Sequence, residues 1–383
     1  GDHRDLHRLI RRQRQMCIRD SLKTSPQTVL SDYKKLMHLV EYQKYLPKDK
    51  DTALKINISW HYFYPACSTT PWQLEGVIKT LLDDGYSKEL IHGCHNKTVV
   101  ISAKKGEIAN KHKKILEKYH LRNIHLYEDE QWINYEPKGK IRVLSKIFPK
   151  GIQIPKRMIG ENIIHLPTMK THVFTTMTGA MKNAFGGLLH ENRHWTHSVI
   201  HETLVDLLVI QKEIHTGIFA VMDGVFAGDG PGPRCMFPHI KNYILAGADQ
   251  VAIDAIAAKM MGFDPLSLKF IRLAHEDGLG CGDPREIEVL GEDIEGVNFG
   301  FSKNANTFAS WGQKLIYWGP LKSFEKLLLR SFIAPWAYIS SILYHDYYWY
   351  PFIGRRRVKK ILKSGAGFIY LKKEICYNSY YYV

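Results

Sequence analysis

The residues best suited to chemistry lie between His165 and Asp206. This stretch places one lysine, Lys182, in a run of small residues, followed by four histidines at helical spacing. Small residues let the backbone approach a ligand closely, and the free N–H groups at a helix start favour anions. The stretch therefore indicates a ligand or metal site, although it does not identify the substrate.

The four histidines are predicted to share one partly buried helix face. They fall at i, i+4, i+7 and i+11, which at about 100° per residue places them within roughly 60° of one another. Imidazole is a common metal ligand, so a divalent transition metal is one hypothesis. An anionic ligand and a structural role are the alternatives. The four residues are His190, His194, His197 and His201.

Three side chains are predicted to be catalytic. Lys182 can contact a phosphate or carboxylate, or act as a nucleophile if burial lowers its pKa. His172 and Asp223 each follow a predicted strand, and the carboxyl ends of strands form the crevice of doubly wound sheets. We therefore expect these groups to converge in one pocket, with Asp223 orienting a cation or transferring a proton.

Seven further residues are predicted to bind the ligand. They come from the first strand, from the turn before His172, from the lysine-bearing run, from the glycine-rich segment after Asp223 and from a later helix. For Lys170 the alternative is an exposed position on the surface. For Asp229 and Arg234 the alternative is an ion pair with each other. The residues are Lys55, Asn57, Lys170, Asn183, Asp229, Arg234 and Asp254.

The elements that must position these groups alternate along the chain. Helices are predicted between strands, which favours an α/β fold with a mostly parallel sheet and helices on both faces. The predicted strands are Leu54–Ser59, Thr98–Ser102, Asn162–Leu166, Ile218–Asp223 and Asn242–Ala246. The predicted helices are Pro71–Asp84, Glu107–Tyr119 and Asp249–Met261, the last with Asp249 as its cap. Residues 293–309 are polar and aperiodic and are predicted to be a linker.

The charge of the chain lies at its ends. The formal net charge is +15, but residues 311–383 hold twelve Lys/Arg against three Asp/Glu, and residues 1–21 hold six against three. The remaining body is close to neutral, so no nucleic-acid partner is expected. Residues 11–21, RRQRQMCIRDS, match codon by codon an adaptor used in transposase-based sequencing libraries, and residues 1–21 are interpreted as an assembly artefact.

The domain organisation follows from this charge pattern. Residues 22–310 are predicted to form the α/β domain, and residues 311–383 a helical, aromatic and basic C-terminal extension. The extension either caps the domain, forms a dimer surface, or lies on an anionic membrane surface through its aromatic and basic residues. A cytoplasmic protein, peripheral at the membrane in the last case, is expected from scattered cysteines without a signal peptide.

Several ordered motifs resemble one family. The Lys55-x-Asn57 strand, the turn from Leu166 to His172, the run from Thr178 to Gly186, the Asp223-Gly224 segment and Asp249-x-Val251-Ala252-x-Asp254 are similar to the family called domain of unknown function 362. The match covers roughly residues 50–285. Some members of that family carry a four-iron cluster module. This chain lacks clustered cysteines, so an iron–sulfur cluster is not expected.

A second similarity concerns Lys182 alone. The Gly179-x-x-Lys182 turn with nearby histidines is similar to the glycine–lysine turn of nickel-pincer lactate racemases. That similarity implies a covalent nickel cofactor on Lys182 and a metal ligand at His194 or His197. From the sequence we expect an enzyme that binds a small anionic molecule or a metal cofactor in a strand-end cleft. The alternative is a non-catalytic protein bound to a membrane or a redox complex.

Overall fold

A computed structural model describes residues 18–128 and 130–364 of the chain. The strands of this part, in chain order, are β1 (Ile18–Lys23), β2 (Thr52–Ile56), β3 (Ile91–His95), β4 (Arg122–His125), β5 (Trp132–Tyr135), β6 (Ile152–Pro155), β7 (Asn162–Leu166), β8 (Thr168–His172), β9 (Thr176–Thr178), β10 (Gly217–Asp229), β11 (Phe237–Gly247) and β12 (Glu288–Gly291).

The helices of the same part complete the layers around these strands. They are α1 (Val29–Leu39), α2 (Pro71–Asp83), α3 (Ala103–Ala109), α4 (His112–Lys118), α5 (Leu144–Ile147), α6 (Ala180–Asn183), α7 (Phe185–Leu188), α8 (Ile200–Ile214), α9 (Gln250–Met261), α10 (Lys269–Glu276), α11 (Phe308–Tyr317), α12 (Glu325–Arg330), α13 (Pro335–Ile342) and α14 (Arg355–Lys363). A 3₁₀ helix (Glu191–Val199) precedes α8, and a π-helix (Leu343–Gly354) joins α13 to α14.

Ten of the strands form one sheet. Eight of them follow the order β12-β1-β11-β10-β7-β2-β3-β4, β8 pairs with β10, and β9 pairs with β8. Most pairs are parallel, including β2 with β3 and β7, and β3 with β4. Apolar clusters cover both faces, with α6, α8 and α9 on one face and α1 and α2 on the other. The predicted α/β fold with a mostly parallel sheet is confirmed.

Local chemistry explains the best-predicted elements. The helix α2 begins after Thr70, which shares a capping box with Gln73, and Pro71 takes the first helical position. The helix α9 begins after Asp249, whose side chain accepts hydrogen bonds from the N–H groups of Val251 and Ala252. The predicted strand Asn162–Leu166 has the bounds of β7.

Two predicted elements were wrong. Thr98–Ser102 forms a turn with one isolated bridge from Thr98 to Ile101, and the strand comes earlier, as β3. Glu107–Tyr119 is two helices, α3 and α4, because Lys111 adopts a left-handed conformation at φ 64° between them. The first of these errors concerns the wall of the cleft described below.

The C-terminal helices pack against the α/β domain. The indole N–H of Trp60 donates to Asp346 at 2.7 Å, and Arg357 donates to the carbonyl of Met236 at 2.8 Å. Trp349 and Tyr350 are buried in the core cluster that also contains Trp60. Among the described residues no single helix could cross a membrane. Lys322–Arg330 and Pro335–Lys363 have suitable length and composition only together, with a bend of 83°.

Part of the segment interpreted as an artefact lies within the sheet. Ile18–Ser21 belongs to β1, which pairs antiparallel with β11 and parallel with β12. These four residues are therefore part of the fold, because strand pairing uses main-chain groups that every residue carries. Residues 1–17 lie outside the described residues.

Candidate functional site

A cleft of about 230 Å³ opens at the carboxyl ends of β2 and β3. The order in which strands are added to the sheet reverses here. The strands β3 and β4 extend the sheet on one side of β2, whereas β7 extends it on the other side. Such a switch point is where doubly wound sheets bind ligands. The polar residues of its wall are Lys55, Asn57, Ser59, His95, Asn96, Thr98, His172, Lys182, Asn183, Arg193, His194, His197 and Arg234.

Lys182 lies on α6, and Asp254 of the helix α9 fixes the first turn of α6. The carboxylate of Asp254, on α9, accepts hydrogen bonds from the N–H groups of Ala180 at 2.6 Å and Met181 at 3.1 Å. A Cβ atom at Gly179 would lie 1.9 Å from this carboxylate, so the close approach requires glycine there. Asp254, which we predicted to bind the ligand, therefore supports α6 and is not among the residues lining the cleft.

The two cleft lysines have unusually low pKa values. Burial lowers the pKa of Lys182 to about 7, with Lys170 and Arg193 adding repulsion, and its amine lies 5.1 Å from the Phe185 ring centre. Burial also lowers the pKa of Lys55 to about 8. The Lys55 amine donates to the carbonyl of Ile56 at 2.6 Å.

Two arginines extend this cationic wall. Arg193 donates to the carbonyl of Lys97. Arg234 donates to the hydroxyl of Ser341 at 3.1 Å, and its second terminal nitrogen is buried without a hydrogen-bond partner among the described residues. The lining residues that the structure describes include no aspartate or glutamate. A bound anion would supply counter-charge to these cations.

Lys170 lies behind this wall and does not line the cleft. Its amine donates to the carbonyl of Cys67 and, at 3.2 Å, to the hydroxyl of Ser59. Burial lowers its pKa to about 8. Its side chain is 1% exposed, so the surface alternative is wrong.

His172 lines the cleft as a neutral imidazole. Its Nδ1 accepts hydrogen bonds from the N–H groups of Phe174 at 3.1 Å and Thr175 at 3.4 Å, so its proton resides on Nε2. Burial, followed by repulsion from Lys182, keeps its pKa well below the usual value. The Nε2–H group is therefore a permanent hydrogen-bond donor near neutral pH.

The predicted asparagines are both in the cleft wall. The amide of Asn183 donates to the carbonyl of Lys55 at 2.9 Å and thereby joins α6 to β2. The amide of Asn57 donates to the carbonyl of Cys67 at 3.2 Å. These contacts fix the wall on both sides of Lys55.

The four predicted metal histidines are not gathered around one point. No three of them lie within metal-binding distance of one another. The segment before α8 is a 3₁₀ helix, which turns about 120° per residue, so the α-helical spacing does not place them on one face. His194 and His197 reach the cleft, whereas His190 packs on Trp132. His201 stacks on Phe270 and lines a separate pocket.

Asp223 is placed away from the cleft. The strand β10 continues beyond it to Asp229, so Asp223 is not at a strand end. Side chains alternate along a strand, and this one points toward α1 and α2. Its carboxylate accepts hydrogen bonds from the Tyr33 hydroxyl at 2.6 Å and the Trp72 indole at 2.7 Å. Our expectation that Asp223 meets Lys182 in one pocket was wrong.

Asp229 is also outside the cleft. Its carboxylate accepts hydrogen bonds from the backbone N–H of Ser302 at 2.6 Å and from the Ser302 hydroxyl at 3.3 Å. It therefore holds the segment between β12 and α11, and Arg234 turns instead toward the cleft.

Sequence reasoning missed several wall residues. His95 ends β3, whose sequence IHGCH has little of the β-branched character that indicates a strand. Arg193 lies among the four histidines in the sequence, and a buried arginine in a cationic wall is a strong anion contact. His95 also lies beside Glu107 and His125, a set whose ligand atoms are within 4.8 Å of one another.

The geometry defines an α/β protein with a cationic cleft at its strand ends. The chain belongs to the DUF362 family, a domain of unknown function, whose sequence profile matches residues 52–259. It is also 25% identical over 162 residues to the thylakoid-associated protein sll1697 of Synechocystis sp., a match covering 38% of this chain and 50% of that protein. The chain thus spans half the length of this curated relative. No solved structure matches it.

Proposed function

We propose that this protein is an enzyme that binds a small anionic molecule, a carboxylate or a phosphate, in the strand-end cleft. The observation that supports this function is a wall holding Lys55, Lys182, Arg193 and Arg234, without a carboxylate among the described lining residues. Buried cations are costly unless a counter-charge is present, so an anion of matching size stabilises them. The volume of about 230 Å³ favours a ligand smaller than a drug-sized molecule.

Lys182 is the group best suited to chemistry on the bound anion. An amine with a pKa of about 7 is available in both its neutral and protonated forms near neutral pH, which suits proton transfer or nucleophilic attack. The Nε2–H group of His172 would donate a hydrogen bond to a developing negative charge.

Isothermal titration calorimetry with sulfate, phosphate and oxalate tests the binding step. We expect at least one of these anions to bind with one site per chain, and Lys182→Met to weaken its binding about tenfold or more. Lys79→Met is the matched control, because Lys79 is exposed on α2. Absence of binding by all three anions, or equal effects of both variants, would refute the proposed function.

A second candidate function is attachment to an anionic membrane surface through the C-terminal helices. Large apolar side chains are exposed there, among them Phe332 at 90% and Tyr347 at 70%. Exposed Arg355, Arg356 and Lys359 follow on α14. Aromatic and basic side chains together suit the lipid interface. The cyanobacterial relative is a thylakoid-associated protein by name, which supports the same idea.

Vesicle flotation tests this second function. Deleting residues 311–383 would expose the core around Trp60, so point variants are preferable. We expect binding to phosphatidylglycerol vesicles but not to phosphatidylcholine vesicles, and its loss in the Phe332→Ser, Tyr347→Ser double variant. Ile108→Ser is the control, since Ile108 is 58% exposed on α3. Equal flotation of all forms, or none of the wild type, would contradict membrane attachment.

A further inference from the structure

A histidine, a glutamate and a second histidine converge at one edge of the cleft. His95 and His125 end the adjacent parallel strands β3 and β4 and are register partners. Glu107, on α3, reaches both of them. Its Oε2 atom lies 2.8 Å from Nε2 of His95 and 3.0 Å from Nε2 of His125. The three ligand atoms all lie within 4.8 Å of one another.

The contacts of His125 indicate which of its nitrogens carries the proton. Its Nε2 lies 3.4 Å from the Asn123 amide nitrogen, which also donates to Glu107 at 2.6 Å. The Nδ1 of His125 lies 3.2 Å from one carboxylate oxygen of Glu128, and the other oxygen of Glu128 lies 2.6 Å from the Lys104 amine. An imidazole that donates from Nδ1 presents a lone pair at Nε2. A carboxylate that orients the outer nitrogen of a histidine is a common feature of metal sites. The lone pair of His125 and the Glu107 carboxylate then face each other, and a cation between them would bind both.

His95 is buried, at 1% exposure. Burying the His95 imidazole and the Glu107 carboxylate beside the half-buried His125 costs free energy that apolar side chains would avoid. A metal ion bound at Nε2 would offset this cost. His95 also lines the cleft, so a coordination position beside it would face the bound ligand.

We propose that His95, Glu107 and His125 bind one divalent transition-metal ion at the edge of the cleft. Two imidazole nitrogens and one carboxylate oxygen suit zinc or cobalt, whereas magnesium and calcium prefer sets of oxygen ligands. Three protein ligands leave at least one position open, as in catalytic metal sites. The site is independent of the anion site, although a metal-bound group would face the same cleft.

Metal titration of the untagged full-length chain, after treatment with a chelator, tests this site. We expect calorimetry to give one Zn²⁺ per chain. Co²⁺ should give the visible absorption of a site with four or five ligands, without the near-ultraviolet band of thiolate coordination. His125→Ala and Glu107→Gln should weaken Zn²⁺ binding at least about 100-fold, and Glu128→Gln about 10- to 100-fold. His120→Asn is the control, because it removes an exposed imidazole from the same region.

The variants also separate metal binding from a structural role. Glu128 is largely on the surface, so Glu128→Gln should keep the unfolding midpoint of the metal-free protein while it weakens Zn²⁺ binding. Zn²⁺ binding that is unchanged in folded Glu128→Gln and His125→Ala variants would overturn the proposal. So would binding that is lost only in a His194→Ala, His197→Ala double variant, or a thiolate band with Co²⁺.

Discussion

The affinity of the cleft for an anion should fall steeply as pH rises through the neutral range. The pKa of Lys182 is about 7 and that of Lys55 about 8, and an anion binds their protonated forms. Protonation of Lys182 alone predicts a loss of about 25-fold, or about 1.9 kcal/mol, between about pH 6.5 and about pH 8.5. His172 and His197 contribute nothing, because burial keeps both neutral in this range.

Calorimetry with sulfate measures this dependence, since sulfate does not titrate in the range. In Lys182→Met the loss of sulfate affinity should shrink to the part caused by deprotonation of Lys55, which is about fourfold over the same pH interval. In Lys79→Met the dependence should match that of the wild type. An affinity that is constant with pH, or a slope that Lys182→Met leaves unchanged, would refute the assignment of a readily deprotonated amine to the anion site.

Three further predictions concern the structure around the cleft. Gly179→Ala would force the Asp254 carboxylate off two N–H groups and should lower the free energy of unfolding in urea by about 2–4 kcal/mol, whereas Gly296→Ala, in open space, should have little effect. Asp223→Asn should lower the free energy of unfolding by about 1–3 kcal/mol and leave the sulfate affinity unchanged in calorimetry. Loss of sulfate binding by the folded variant would show that the carboxylate serves the cleft. Trp60→Phe should lower stability by about 1–3 kcal/mol and speed proteolysis of the C-terminal helices. An unchanged cleavage rate would show that other contacts hold them.

Much of the fold was predictable because strands and helices alternate along the chain. The rule that ligands bind at strand ends also grouped Lys55, Asn57, His172 and Lys182 correctly, since each follows or faces the end of a strand. These predictions depend on local pattern and on chain order, and both can be read from a single sequence.

The errors arose where tertiary packing decides the conformation. The length of β10 depends on its pairing with β11, and that length removes Asp223 from the strand end. A 3₁₀ helix in place of an α-helix separates His190 from His197. His95, Glu107 and His125 come from two strands and the helix between them, 12 and 18 residues apart along the chain, and the parallel pairing of β3 with β4 is what brings them together.

The C-terminal helices contact two residues of the cleft wall. Ser341 accepts the hydrogen bond from Arg234, and the Tyr338 hydroxyl lies 2.9 Å from Nε2 of His194. The region with the exposed aromatic side chains is therefore also in direct contact with two residues of the ligand cavity. Any partner or surface that displaced α13 would release both contacts at once, so the location of the protein in the cell and the occupancy of its binding cavity would be thermodynamically coupled.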